Sequence, residues 1–497
     1  MFLLLVILTI FFIWMHRLYS YWRRNGVPGP QPLPIVGNFL RSLTGELNAG
    51  AVVTKIYREY EGHSFVGIYK NTTPVLILRE PDFIKSILTT NFKKFHDNDF
   101  EVDKEIDPIL GRNPFVMKGA EWRAKRAQLS FCFTSGKIKG MYKFLDQNSK
   151  NMIKYITEEV KSKEPLEARE ICIRFTLDNV AACAFGLEGK CFEENYSDFR
   201  DLANKFLSPD SLSSLQWLLF TVWPKGFKYL KFKLVPKGVE DRLLEIVRDS
   251  IKYREENNLV FNDFLDVVRN LPTDTGLFTE LDIAAHAASF FGDGYETSSR
   301  VMSFLLFELA SNEHAQEKLR TEINEALENN NNELSYDLIH GLQYLDACLN
   351  ESMRKNSVTY FQGKLCTEEF TYTPANPDYK QISVTLKPGD AIILPFEGLQ
   401  SDSRHFYNPD QYIPERFLDN EYNKFAFFPF GMGPRACLGQ RFAQTQIKVG
   451  IAYIVNNFKM RINSKTKLPF KLDTYYLFRH VVDGMWIDFE EINKEII

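Results

Sequence analysis

The segment FFPFGMGPRACLGQRFAQTQ, residues 427–446, holds one cysteine, Cys437, among Gly431, Gly433 and Gly439. Arg435 stands two residues before it and Phe430 seven residues before it. A lone cysteine can serve as a small buried hydrophobe, a nucleophile or a metal ligand. A nucleophile needs a base, most often histidine. His405 precedes Cys437, but the two stand in no protease-like local signature. A ligating thiolate must stay deprotonated, and backbone N–H groups and a helix N-terminus favour that state. The periodic, apolar run LGQRFAQTQIKVGIAYIVNNF begins directly after Cys437 and reads as such a helix. Clustered glycines let a backbone turn tightly beneath a flat group. Arg435 can meet a carboxylate through two parallel bonds, and Phe430 can shield the sulfur from water.

Other elements must place partners for that cysteine. TELDIAAHAASFFGDGYETSSRVMSFLLFELASN reads as one long helix with a capping box of Thr279 and Asp282. Its first half is apolar on nearly every side, so it should run through the interior. GDGYETSS then sets Asp293, Glu296, Thr297 and Ser298 in mid-helix, where polar groups are costly unless partnered. Most of the chain from 51 to 356 reads as helix, including VVTKIYREY and EWRAKRAQL. TPVLILRE, QISVTLKPGDAIILP and the tail FKLDTYYLFRHVVDGMWIDFEE read as strands and turns.

Phe430, Gly433, Arg435, Cys437 and Gly439 match F-x-x-G-x-R-x-C-x-G in full, so this segment resembles the haem-binding signature of cytochrome P450 enzymes. Five such positions match by chance in roughly one chain of this length in ten thousand. The resemblance runs from the N-terminus to the tail. It implies a mainly α fold with a small β portion, as a single large helix-rich domain. It implies haem b, with Cys437 as the axial iron ligand, and O2 and NADPH-derived electrons as cosubstrates. ESMR resembles the family's E-x-x-R, a pattern found about once by chance in a chain this long. With Arg416 of YIPERF, Glu351 and Arg354 are implied to form a buried ion network holding the cysteine loop. EWRAKR places Trp122 and Arg126 where the family holds a haem propionate. DGYETS places Glu296 and Thr297 at the acid and alcohol positions of the oxygen-activation motif, on the expected proton path. Phe115, Phe291, Val358 and Phe361 fall in stretches that line the substrate cavity in the family. Asp293, Ser357 and Lys364 depart from its usual residues.

The 497 residues, 44% of them hydrophobic, can bury a large core. A formal charge of -4 gives no reason to expect nucleic acid as a partner. The seven cysteines include no CxxC pair, which argues against a structural zinc site and against a disulfide framework. FLLLVILTIFFIWM, residues 2–15, is apolar apart from Thr9 and is followed by uncharged YSYW. Residues 1–26 therefore read as a membrane anchor with Tyr19, Tyr21 and Trp22 at headgroup level. Arg17, Arg23 and Arg24 all follow the run, which leaves the body in the cytoplasm; the resemblance implies that the membrane is that of the endoplasmic reticulum. Residues 27–38, VPGPQPLPIVGN, read as a stiff proline-rich hinge, and 39–497 as the catalytic body. SSLQWLLFTVWPKGFKYLKFKLVPKG, with Lys225, Lys228, Lys231 and Lys233, reads either as a lipid-contacting segment or as a helix pair over the core.

FHDNDFEVDKEIDPILGRNPFVMKGAEWRAKRAQLSFCFTSGKIKGMY and NEHAQEKLRTEI most resemble the insect microsomal members. The implied function is a monooxygenase acting on an apolar small molecule, such as a xenobiotic, insecticide, plant toxin or hormone-like compound. Its implied partners are NADPH–cytochrome P450 reductase, cytochrome b5 and membrane lipid, with Arg123, Lys125 and Arg441 as candidate docking residues. The alternatives are a haem protein that sequesters ligands or senses gases without turnover, a P450-like isomerase and, more remotely, a cysteine hydrolase.

Overall fold

The computed structural model describes residues 2–193, 198–207, 211–273, 276–420 and 422–492. It is mainly helical with small sheets, as expected from the sequence. The helices that bear on the site are α1 (Phe2–Tyr19), α2 (Gly119–Ser130), α3 (Ser135–Val160), α4 (Ala168–Val180), α5 (Glu280–Ser311), α6 (Gln343–Lys355) and α7 (Gln440–Asn457).

The helix α5 is the interior axis. Thr279 Oγ1 accepts from Asp282 N at 3.2 Å, and Asp282 Oδ2 accepts from Thr279 N at 3.3 Å, so the capping box forms. Its 32 residues run without interruption, about 48 Å at 1.5 Å per residue. Gly292 and Gly294 do not break it. A Cβ on Gly292 would lie 2.3 Å from the Phe206 ring, and one on Gly294 would lie 3.0 Å from the Val180 side chain. Glycine costs roughly 1 kcal/mol in a helix interior, and here it permits the close packing of α4 along α5. The helices α3 and α7 pack on each other, and α7 also contacts α5.

The larger sheet joins β1 (Phe65–Lys70), β2 (Thr73–Leu78), β3 (Asp97–Asn98) and two later strands. The smaller sheet begins with β4 (Leu166–Glu167). The later strands of the first are β5 (Gln362–Leu365) and β6 (Ala391–Leu394). The smaller sheet is completed by β7 (Phe458–Ile462) and β8 (Trp486–Glu491). The larger sheet runs in the order β1-β2-β6-β5-β3. Among the described residues only β6 and β2 pair in parallel, with Ala391 opposite Val75. Asn98 pairs with Lys364, which brings the segment after β3 beside β5. The tail is less regular than its composition suggests. Apart from β8, residues 468–485 contribute only the bridge between Leu472 and Val481.

The aromatic flank of the N-terminal reading needs correction. Among the described residues, no helix is long and apolar enough to cross a membrane. As a helix, the apolar run of residues 2–15 measures about 21 Å, short of the roughly 30 Å of a hydrocarbon core. The aromatic residues expected to lengthen it are committed to the body. Tyr19 Oη donates to Asn71 O at 3.2 Å, and Tyr21 Oη donates to Asp390 Oδ2 at 2.8 Å. Trp22 is 3% exposed, and its indole N–H donates to Ile68 O at 2.9 Å. These rings find fixed hydrogen-bond acceptors at the sheet, so they do not float at headgroup level. The proline-rich stretch lies along β1: Pro28 O accepts from Gly67 N at 2.8 Å and Tyr69 O from Asn38 N at 3.0 Å.

Candidate active site

Cys437 lies just before α7, on a loop whose path is set by local turns. Gly431 N donates to Phe428 O at 2.8 Å, Ala436 N to Gly433 O at 3.0 Å and Cys437 N to Phe430 O at 2.7 Å. Gly431 and Gly433 both have φ of +70°, a region that side chains disfavour. A Cβ on Gly433 would also lie 2.0 Å from Leu88 O. Gly433→Ala is therefore expected to lower stability by about 2 kcal/mol or more, since the clash is with backbone that cannot rotate away. Urea unfolding of the variant checks this. Gly439 differs, with φ of -83° and room for a Cβ.

Cys437 is the one exposed cysteine; the other six are buried. Its sulfur opens on a space that protein encloses. Enclosure pushes the thiol up to about 11, the charge of Asp293 adds to that rise, and Gly439 N–H and the Arg126 guanidinium oppose it. The resting thiol is thus neutral, and a bound metal cation would drive its deprotonation.

A cationic wall flanks this space. Arg435 stacks on the buried Trp122, its guanidinium carbon 3.8 Å from a ring centroid. Its donors reach His96 O, Pro114 O and Met117 O, each at 2.8 Å, and Asp97 Oδ1 at 3.5 Å. Most of its hydrogen-bonding capacity is therefore spent on the backbone of residues 96–117, and little remains for the carboxylate clasp expected of it. Lys364, on β5, is buried with no partner for its ammonium. Burial, joined by the charges of Arg435 and Arg126 and opposed by that of Asp97, lowers it to about 7. Arg126, on α2, is half-buried and lowered mainly by burial.

A buried orphan ammonium beside two guanidiniums asks for an anion. An open thiol, glycines in left-handed conformation and unsatisfied cations fit an iron porphyrin with carboxylate arms. Cys437 would ligate the metal, and Lys364 and Arg126, with the remaining capacity of Arg435, would hold the carboxylates. Lys364, a departure from the usual family residue, supplies the orphan charge.

The opposite side is α5. Gln446 Nε2, on α7, donates to Gly294 O at 3.0 Å, which fixes the middle of α5 against α7. Thr297 Oγ1 donates to Asp293 O at 2.7 Å, a back-bond that spends the hydroxyl proton inside the helix. Glu296 is wholly engaged elsewhere. Its carboxylate accepts from Arg300 Nε at 2.7 Å, from Tyr476 Oη at 2.9 Å and from Arg169 Nη2 at 3.2 Å to each oxygen. Burial would raise its pKa, but the Arg300 and Arg169 charges, with hydrogen bonds from Arg300 and Tyr476, hold it down at about 2. In this arrangement Glu296 exchanges no proton with the space around Cys437 unless those ion pairs break, which corrects its expected place on a proton path. It is turned about 100° around the helix from Thr297.

The folded-state pKa of Glu296 lies below its ordinary value of 4.5. Its contribution, about 3 kcal/mol, is therefore present above pH 4.5 and lost as pH falls through about 2. Glu296→Gln is expected to lose that amount at neutral pH. The gap to the native protein should narrow on acidification from pH 5, read by denaturant unfolding at several pH values.

Glu351, Arg354 and Arg416 meet in one buried cluster. Arg354 donates to Glu351 at 2.7 and 2.8 Å, and Arg416 Nε lies 3.0 Å from Glu351 Oε2. Arg354 also reaches Gln400 O and Pro409 O at 2.8 Å, and Arg416 reaches Tyr407 O at 2.8 Å. The cluster thereby fixes the irregular chain that precedes the cysteine loop.

The four pocket candidates divide. Phe115 is exposed, its ring tilted against that of Phe100 at 5.1 Å, while Val358 and Phe361 are half-buried. Phe291 is wholly buried among Phe185, Phe199, Phe206 and Tyr295, so it belongs to the aromatic core. Ser357 bonds its own turn through Thr359 O at 2.6 Å. Arg123 and Arg441 are exposed, whereas Lys125 sits 4.0 Å over the Phe278 ring. Sequence reasoning missed Arg169, Arg300, Tyr476, Asn113 and Asp97. Only the spacing of Glu296 and Arg300, four residues apart on one helix, offered a signal.

A family model described as Cytochrome P450 matches residues 27–482. The chain belongs to the cytochrome P450 family. Probable cytochrome P450 28d1 of Drosophila melanogaster is 30% identical over 510 residues, covering 99% of each chain. Probable cytochrome P450 6a13 of the same fly is 32% identical over 483 residues, covering 96% of this chain and 95% of the relative. Cytochrome P450 6j1 of Blattella germanica is 29% identical over 489 residues, covering 97% and 96%. As a P450, the protein is an oxidoreductase of the monooxygenase type that binds haem b; O2 and NADPH-derived electrons are the family's standard cosubstrates.

Proposed function

We propose that this P450 is a microsomal monooxygenase of the xenobiotic-handling type, inserting one oxygen atom into a largely apolar small molecule. The observation that carries this reading is the open thiol of Cys437, facing an enclosed space walled by unsatisfied cations and by the middle of α5. When bound, the haem supplies O2 binding and one-electron chemistry. The protein's own residues do the rest. Cys437 sets the ligand and the α2–β5 wall sets orientation. Thr297 donates its own proton to the helix, so its Oγ1 can accept a hydrogen bond from water and hold a proton donor at that atom. Glu296 anchors α5 to Arg169 and to Tyr476 of the tail. Phe115, Val358 and Phe361 give an apolar surface for substrate.

Electrons reach the site from an NADPH-dependent reductase docked on the cysteine side, where Arg123 and Arg441 are exposed, with cytochrome b5 as a second donor. The body rests on the endoplasmic reticulum membrane from the cytoplasmic side. Support for that placement comes from the exposed apolar side chains of α1, among them Phe2, Leu3, Ile10 and Phe12. Exposed Tyr229 and Leu230 beside Lys225, Lys228 and Lys231 make a second patch of suitable chemistry.

The reduced, carbon monoxide-treated protein tests the reading. A strongly red-shifted Soret band marks a thiolate on iron; a band typical of histidine ligation, or none in folded protein, overturns it. Product formation with NADPH and reductase then separates monooxygenation from ligand sequestration and from isomerisation of a peroxide.

A further inference from the structure

Asp293 differs from every other strongly desolvated carboxylate near the site. Glu296 has two guanidiniums, Glu351 has Arg354 and Arg416, and Asp99 has Lys70 at 3.0 Å. Farther away, Asp263 and Asp266 share Arg254, and Asp107 accepts from the backbone N–H groups of Leu110, Leu234 and Val235. Asp293 has one donor, Asn113 Nδ2 at 3.1 Å from Oδ2, and no cationic partner among the described residues. A carboxylate offers about four acceptor sites, so most of its capacity is unused.

Its position explains why that capacity faces a ligand. Asp293 lies in the middle of α5, where Ile283 to Ala288 upstream and Ser298 to Leu309 downstream are buried, yet its own side chain is exposed. It shares this property with Cys437, and the charge of Asp293 is felt at that sulfur. The two therefore open on the same enclosed space. Surrounding protein desolvates the carboxyl and lifts it to about 6, so it is still mostly ionised at neutral pH, and an arriving cation would favour the ionised form further. Arg112, the nearest residue in sequence to Asn113 that could neutralise it, is committed to Asp282 at 3.3 Å.

We infer that Asp293 is a specificity-determining residue that selects substrates carrying a positively charged nitrogen on an otherwise apolar frame, with the ammonium held at the free carboxylate oxygens. This rests on the monooxygenase reading only in that the same space takes the substrate. With the cations Lys364 and Arg126 on the α2–β5 wall taken up by the carboxylates of a bound haem, Asp293 on α5 would be left without a counter-ion, and such a carboxylate discriminates strongly between a cation and its neutral isostere.

The test uses haem-loaded protein and two probes that cannot ligate iron through nitrogen: N,N,N-trimethylhexylammonium and its carbon isostere 2,2-dimethyloctane. Equilibrium dialysis measures both affinities. The native protein is expected to bind the cation at least tenfold more tightly. Asp293→Asn, which keeps shape and removes charge, should bring the ratio near one, and Asp293→Glu should retain a preference. The carbon monoxide spectrum of each variant reports separately that it is folded with thiolate on iron. Equal binding of the two probes by native protein, binding of neither, or an unchanged preference in a correctly loaded Asp293→Asn each overturns the inference. None of these results touches the monooxygenase reading, which the spectrum and NADPH turnover decide.

Discussion

Cys437→Ser is expected to lower NADPH-dependent oxygenation by at least about a hundredfold, a loss equivalent to about 3 kcal/mol of transition-state stabilisation. A serine hydroxyl stays protonated where a thiol on a metal does not, and it cannot push electron density onto iron as a thiolate does. No other cysteine can substitute. Cys132, Cys172, Cys183, Cys191, Cys348 and Cys366 are all buried, and burial raises the thiols of Cys183 and Cys348 far above their ordinary range. The variant should fold, because Cys437 contributes its backbone N–H to the loop and its side chain to the open space. The measurement is the carbon monoxide difference spectrum together with turnover. A thiolate-type band persisting in Cys437→Ser would show that the ligand lies elsewhere.

Glu351→Gln is expected to cost about 3–5 kcal/mol, the range for breaking a buried ion pair by removing one partner. Two buried guanidiniums would lose their shared counter-charge, and an amide would have to face Arg354 with one oxygen instead of two. Glu351 Oε1 also accepts from Ile413 N at 2.9 Å, so the loss reaches the segment that leads to the cysteine loop. Denaturant unfolding reads the stability, and haem retained after gel filtration reads the loop. Arg354→Lys should not be benign. One guanidinium serves Glu351 and the carbonyls of Gln400, Pro409 and Gln411 together, and an ammonium cannot reproduce that fork.

These two sites differ in how far the amino-acid sequence discloses them. Cys437 and its glycines are contiguous, so the constraint that joins them is local and legible in the residue order. Glu351 and Arg354 are one helical turn apart, which again is local. Arg416 joins them only by resemblance, since nothing in its own neighbourhood points to residue 351. Asp293 stands out in the sequence as an oddity, a carboxylate where a small residue is usual, but its meaning depends on what Glu296 is doing. Both are acids in one helical stretch; one is neutralised by Arg300 of its own helix and Arg169 from α4, with a hydrogen bond from Tyr476 of the tail, and the other has only the Asn113 amide and no counter-ion.

The sequence by itself determined the helix-rich class, the capped interior helix, the cysteine loop and, through its motif, the family. Those features follow from periodicity, capping and glycine placement, which act over a few residues. The tertiary structure alone decided which charges are satisfied. It put Trp22 against the sheet rather than in a bilayer interface and spent Arg435 on backbone carbonyls. It also locked Glu296 while leaving Lys364 and Asp293 without counter-ions. The physical reason is that desolvation and pairing depend on what arrives from distant parts of the chain, and a residue's sequence neighbours do not record those arrivals.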